Sequence, residues 1–105
     1  MTAADRRRSA RHLLGEPAEI HLGPTTVAGV VADVSAHGMG LILPPGTRVA
    51  MGDVVWVLTG RVAAYAITAT VVRIGSPDRE RVGIQFDEIL SGPALEQIQE
   101  LPLVD

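Results

Sequence analysis

The sequence contains no cysteine and few aromatic residues. Without cysteine among its 105 residues, the chain has neither disulfides nor thiolate metal sites. Aromatic residues make up 3% of the chain, against 47% for all hydrophobic residues, and they are Trp56, Tyr65 and Phe86. The core must therefore be built from aliphatic side chains, chiefly valine, isoleucine, leucine and alanine.

Long apolar segments are absent as well. No uninterrupted apolar stretch is long enough to span a bilayer. The N-terminus carries charge and is not followed by the apolar region of a signal peptide. We therefore expect a soluble, cytoplasmic protein without direct membrane insertion. The length fits a single domain, residues 1–105, and is compatible with either a whole protein or a domain of a longer one.

Lysine is also absent, and the arginines are unevenly distributed. All nine basic residues are arginine in a chain of net charge −3, and four of them lie between Arg6 and Arg11. The planar guanidinium pairs bidentately and stacks on rings, which favours a compact anionic or planar ligand. A high-GC coding bias explains the absence of lysine equally well but does not explain the cluster. Taken alone, the cluster is also compatible with a solvated, frayed terminus.

The spacing of apolar and turn residues predicts an all-β domain. Strands are expected at 17–22, 27–34, 38–43, 53–58, 61–74 and 81–86, separated by Gly/Pro turns. In the fifth strand, one register is predicted for Tyr65, Ile67, Ala69, Val71 and Arg73. Such short strands are typical of a barrel or a sandwich. Residues 1–15 are predicted to form an arm and residues 16–90 the barrel.

The last segment, residues 91–105, has a helical period. An amphipathic helix is expected to have Pro93 at its first position and to stop at Pro102. Such a helix could plug one end of the barrel or dock on a partner, and the plug is favoured.

A second cluster of polar residues follows the valine-rich second strand and contains Asp33, Ser35 and Gly38. At a strand end, a period of two places Asp33 and Ser35 on the same side. Gly38 would permit a positive φ or the close approach of a ligand. An arginine can donate to the O6/N7 edge of guanine, and a carboxylate can accept from its N–H edge. Together the two clusters suit a guanine nucleotide, although the second alone is also an ordinary turn sequence.

In their order and spacing, the two clusters resemble the signature of the PilZ domain family, the bacterial receptor module for cyclic di-GMP. The family motifs are RRxxxR followed by [D/N]xSxxG, and the matching residues are Arg6, Arg7, Arg11, Asp33, Ser35 and Gly38. Gly40-Leu41 and the strand at 81–86 also fit. The resemblance covers essentially the whole chain.

The resemblance implies a six- or seven-stranded antiparallel β-barrel with a flexible arginine-rich arm and a short C-terminal helix. Arg7 and Arg11 would contact guanine and phosphate. Arg6 would be a third contact, and an arginine at this position often accompanies an intercalated ligand dimer. Arg8 falls on a variable position of the motif.

On the barrel, the resemblance assigns the edge of one guanine to Asp33 and Ser35, while Gly38 keeps the turn open. The implied function is a cyclic di-GMP receptor or adaptor without a cofactor. Its arm would change conformation on binding and signal to an effector protein of unknown identity. The resemblance leaves one alternative within the family, a PilZ-like protein-interaction domain that binds no nucleotide. Such members usually lack the arginines or the Asp/Ser motif, and this chain has both.

Catalytic and metal sites are not expected. Asp33, Ser35 and His37 are the residue types of a hydrolase triad, but alternate residues of one strand end project in parallel and would not line up. His12, His21 and His37 lack a metal-ligand spacing, and no cysteine joins them. We therefore predict that the chain is not an enzyme.

Two other nucleotide-binding classes fit poorly. A module for RNA or single-stranded DNA needs a basic groove and stacking aromatics, but this chain is acidic outside the arm. The segment Gly38-Met39-Gly40 begins like a dinucleotide-binding loop but lacks the third glycine and the following helix. We therefore expect neither a nucleic-acid polymer nor a dinucleotide cofactor as a partner.

Overall fold

A computed structural model of the chain describes residues 10–59, 67–75 and 80–104. Its strands are β1 (His12–Leu22), β2 (Thr25–Val34), β3 (Gly38–Ile42), β4 (Val54–Leu58), β5 (Ile67–Ile74) and β6 (Arg81–Phe86), followed by helix α1 (Gly92–Gln99). They form a closed antiparallel barrel in the order β1-β2-β3-β6-β5-β4, in which β4 pairs back to β1. The predicted all-β barrel with a short C-terminal helix is confirmed. Arg6, Arg7 and positions 61–66 of the predicted fifth strand lie outside the described residues.

Alternation along the strands creates the core. In β1, Ala18 and Ile20 face inward and Glu19 faces outward. The barrel interior is filled by aliphatic side chains, with Phe86 as the aromatic member of the described core. Trp56 lies on the outer face of β4 with 53% of its surface exposed. The barrel is thus held by burial of aliphatic side chains, as the composition predicts.

The first strand begins at His12, five residues before the predicted start at position 17. Gly15 has a φ of 63°, and the β1–β2 register shifts between Leu13 and Glu16. The predicted boundary between the arm and the barrel at residues 15 and 16 is therefore a bulge inside a longer strand, made possible by a glycine in the left-handed region. As a correction, residues 12–15 belong to the barrel and not to the arm, which brings Arg11 to the barrel surface.

A second bulge lies in β5. The expected register, with Arg73 on the same face as Val71, is wrong, because pairing with β6 shifts between these two residues. Val71 is buried, whereas Val72 and Arg73 are both exposed. An extra residue in one strand reverses the face of the side chains that follow it. Arg73 consequently lies on the outer surface.

Helix α1 contributes to the core from the C-terminal side. Pro93 lies in its first turn, and Ile98 is 1% exposed within the main apolar cluster. Since the sheet closes on itself, a helix side chain reaches the interior through an open end, which supports the predicted plug. No helix within the described ranges has the length and apolarity that a membrane crossing requires.

The tail that follows α1 returns to the start of β1. The backbone N–H of Leu13 donates to the carbonyl of Pro102 (2.7 Å), and the N–H of Val104 donates to the carbonyl of Arg11 (2.9 Å). His12 and Leu103 form an isolated antiparallel bridge. The backbone on either side of His12 is therefore fixed by the C-terminal segment.

Candidate functional site

Arg11 and Asp33, one residue from each sequence cluster, meet on the outer surface of the barrel. The Nη1 group of Arg11 donates to Oδ1 of Asp33, which also accepts the backbone N–H of Gly40 at 3.1 Å. The side chains are 40% and 24% exposed. Oδ2 of Asp33 has no hydrogen-bond partner among the described residues. The site thus offers an oriented carboxylate with unused acceptor capacity beside a guanidinium.

Gly40 positions that carboxylate. The β2–β3 register shifts between Val31 and Asp33, which places Asp33 opposite Gly40. A Cβ atom on Gly40 would lie 2.8 Å from Oδ1 and 3.0 Å from Oδ2 of Asp33. The glycine therefore leaves the space in which the carboxylate lies across β3. This role of Gly40 was not predicted from the sequence, because the periodicity of the strands does not reveal which residue lies opposite an aspartate.

Ser35 shapes the turn between β2 and β3. Its Oγ accepts the backbone N–H groups of His37 and Gly38, both at 3.2 Å, and its own N–H donates to the carbonyl of Gly38 at 2.8 Å. The residue is 4% exposed and directly follows Val34, the last residue of β2. The shared side with Asp33 remains a prediction. The guanine contact assigned to Ser35 remains a prediction.

Gly38 is required for close packing of the barrel and not for an unusual backbone angle. Its φ is not positive. A Cβ at this position would lie 2.1 Å from the carbonyl oxygen of Ile84 in β6. Of the two expectations for Gly38, a positive φ is wrong, and the close approach that the structure shows involves neighbouring backbone. Gly38 therefore supports the site by allowing β3 and β6 to pair beside the turn.

The geometry of this turn does not support a hydrolytic triad. Ser35 Oγ accepts the backbone N–H of His37, and the ring Nδ1 of His37 is buried without a hydrogen-bond partner in the part of the chain that the structure describes. A triad requires the nucleophilic hydroxyl to bond to the imidazole. Within the described ranges, no group of three or more His, Asp or Glu side chains is arranged to hold a metal ion. What these residues offer chemically is hydrogen bonding to a planar or anionic ligand.

Comparison with known proteins gives one family and one fold. The family model for the PilZ domain matches residues 5–101. No curated protein sequence matches the chain. Among solved structures, the Bacillus subtilis Inhibitor of motility (MotI/DgrA) is similar, with a TM-score of 0.66 and 17% identity over 90% of this chain. The chain spans about half of that protein, 48% of its length, and at this identity the likeness shows a shared fold.

Proposed function

Because the chain belongs to the PilZ domain family, whose members are ligand-binding receptor modules, we propose that it binds cyclic di-GMP and signals to a partner or an attached effector. The observation that carries this proposal is the contact between Arg11 and Asp33. These residues come from different motifs and lie 22 positions apart, yet the fold brings them to one surface point.

The two side chains have complementary roles toward guanine. Asp33 Oδ1 accepts the N–H of Gly40, which orients the carboxylate and leaves Oδ2 to accept from the N–H edge of guanine. The fork of Arg11 can donate to the O6/N7 edge or to a phosphate. An aspartate and an arginine at one point therefore favour guanine, which has donors on one edge and acceptors on the other.

Ligand binding exchanges the contact between Arg11 and Asp33 for contacts of both residues to the nucleotide. The ion pair is partly exposed, so it contributes only about 0–1 kcal/mol to stability and is readily displaced. The exchange produces a signal only if the partner distinguishes the two arrangements. We therefore place the switch at Arg11, where the arm meets the barrel.

The remaining arginines extend this site in the proposal. Arg7 precedes Arg11 by four positions, so the extended chain keeps their Cα atoms within ~14 Å. Arg7 is assigned to guanine and phosphate, as the family motif implies, and Arg6 to a second ligand molecule in an intercalated dimer. Arg8 is assigned no contact and serves as a matched control.

Titration calorimetry with cyclic di-GMP tests the proposal. We expect saturable binding by the wild-type chain. Arg7→Ala and Arg11→Ala should each weaken binding about tenfold or more, because each removes a charge-assisted hydrogen bond. Arg8→Ala should bind like the wild type. An absence of heat at high micromolar ligand would refute the receptor function and favour the protein-interaction alternative.

Two further outcomes test the individual assignments. Asp33→Ala should lose most of the affinity, and wild-type binding by this variant would show that guanine does not lie at Asp33. The fitted stoichiometry should be two ligands per chain if Arg6 supports an intercalated dimer. One ligand per chain would refute that role without affecting the receptor function.

A further inference from the structure

Four residues form a row across the outer face of neighbouring strands β2, β3, β6 and β5. Asp33 pairs with Gly40, Gly40 pairs with Gly83, and Gly83 pairs with Arg73. Residues opposite each other in an antiparallel sheet project to the same side. The middle of the row therefore has no side chains of its own, and a charged residue stands at each end.

Both charged side chains extend inward over the glycines. The carboxylate of Asp33 covers Gly40. A Cβ on Gly83 would lie 3.3 Å from both Cβ and Nε of Arg73 and 3.5 Å from its Nη2. The guanidinium thus lies along the surface of β6. It is placed there by the β5 bulge, without which Arg73 would follow Val71 to the interior.

Arg73 makes no ion pair or side-chain hydrogen bond with any described residue, and it is exposed. Such an arginine normally extends into water, where it retains its rotamer freedom. Here the glycine beneath it provides a surface for the side chain. The geometry therefore leaves a positioned cation on the same face as Asp33, without an ion-pair partner among the described residues.

We propose that Arg73 is a further ligand-binding residue, which contacts a phosphate of the nucleotide whose guanine lies at Asp33; this inference rests on the proposed function. Because the carboxylate lies over Gly40 and the guanidinium over Gly83, the gap between the two charged groups spans about one strand spacing. Adjacent strands lie about 5 Å apart, so the charged groups are separated by on the order of 5–10 Å. A nucleotide carries N–H donors on its base and negative charge on its phosphate, with the sugar between them. The carboxylate attracts the first and repels the second, which orients the phosphate toward Arg73.

The test is calorimetric titration of wild type, Arg73→Ala and Arg48→Ala with cyclic di-GMP and with cyclic di-IMP. The inosine ligand has the same phosphates but lacks the 2-amino donor of guanine. Arg73→Ala should weaken both ligands in parallel by about tenfold or more. Asp33→Ala should instead reduce the preference for cyclic di-GMP over cyclic di-IMP. Arg48→Ala removes the same charge from the exposed loop before β4 and should not change affinity.

A second variant tests the position of the guanidinium without removing its charge. Gly83→Ala places a methyl group against Arg73 and should weaken binding by displacing it, while thermal unfolding shows that the barrel remains folded. Unchanged affinity of Arg73→Ala in a chain whose wild type binds would refute the role of Arg73 alone. If Arg73→Ala reduces the preference for cyclic di-GMP over cyclic di-IMP, Arg73 contacts the base, and the proposed phosphate contact is refuted. A wild type that binds neither ligand refutes the receptor function together with this assignment.

Discussion

Gly38 and Gly40 lie two residues apart on β3, yet the same substitution to alanine should have different effects. At Gly38 the new methyl group would lie 2.1 Å from a backbone oxygen, that of Ile84. At Gly40 the nearest atoms belong to the carboxylate of Asp33, a side chain that is partly exposed and can rotate. Gly38→Ala should therefore destabilise the fold, and Gly40→Ala should mainly disturb the site.

The magnitude for Gly38→Ala follows from the pairing of β3 with β6. The added methyl group would lie 2.1 Å from the carbonyl oxygen of Ile84, whereas an ordinary van der Waals contact requires at least 3.4 Å. The two strands would therefore have to move apart by more than an ångström. Overpacking costs about 1–3 kcal/mol, and each weakened backbone hydrogen bond adds about 1 kcal/mol. We expect a loss of about 3–5 kcal/mol from a total stability of about 5–15 kcal/mol. For a chain of this size, that lowers the Tm by more than about 10 °C.

Gly40→Ala requires only that Asp33 turns away. The exposed ion pair with Arg11 is worth about 0–1 kcal/mol, and the hydrogen bond from the Gly40 N–H about 1 kcal/mol. Alanine also restricts the unfolded chain, which offsets about 0.4–1 kcal/mol. Stability should therefore fall by less than about 2 kcal/mol. Affinity for cyclic di-GMP should fall about as far as in Asp33→Ala.

Thermal unfolding followed by far-UV circular dichroism measures the first effect, and calorimetric titration measures the second. A Tm of Gly38→Ala within about 3 °C of wild type would refute the steric argument, since that corresponds to less than about 1 kcal/mol. Wild-type affinity in Gly40→Ala would show that the orientation of the Asp33 carboxylate does not matter for binding.

Two further predictions concern the parts that support the site. Ile98→Ala should destabilise the chain by about 2–5 kcal/mol in urea unfolding, because it leaves a cavity where α1 enters the core, whereas Gln99→Ala on the exposed side of the helix should have little effect. Ser35→Ala should cost about 1–3 kcal/mol by leaving the N–H groups of His37 and Gly38 without their acceptor, and an unchanged urea midpoint would contradict the assignment of Ser35 to the turn.

The barrel was predictable because its strands alternate and its turns contain glycine and proline. The period of two predicts that Ala18 and Ile20 face the core and that Glu19 faces outward. The two motifs could be found in the sequence because each lies within a short segment of the chain. The family resemblance supplied their joint interpretation as a ligand-binding site, which remains a prediction, and the structure brings Arg11 and Asp33 into contact.

The predictions that the structure overturns concern residues at irregular strand pairings. The bulge at Gly15 resembles a strand boundary, and the bulge after Val71 reverses the face of Arg73. A bulge depends on which residues of the neighbouring strand are opposite, which a single strand does not encode. For the same reason, the glycine row between Asp33 and Arg73 could not be found before the register of four strands was established.

Hydrogen bonds from the C-terminal tail determine which part of Arg11 has to move in the proposed ligand binding. The carbonyl of Arg11 accepts the N–H of Val104 at 2.9 Å, and Nδ1 of His12 donates to the carbonyl of Leu101 at 2.9 Å. With its backbone held in this way, Arg11 can leave Asp33 by rotation of its side chain, which costs at most about 2 kcal/mol of entropy. A residue whose backbone must also be ordered incurs about 1–2 kcal/mol more. The backbone of Arg11 is therefore already in place for the proposed ligand contact, and the tail that holds it is a structural component of the site.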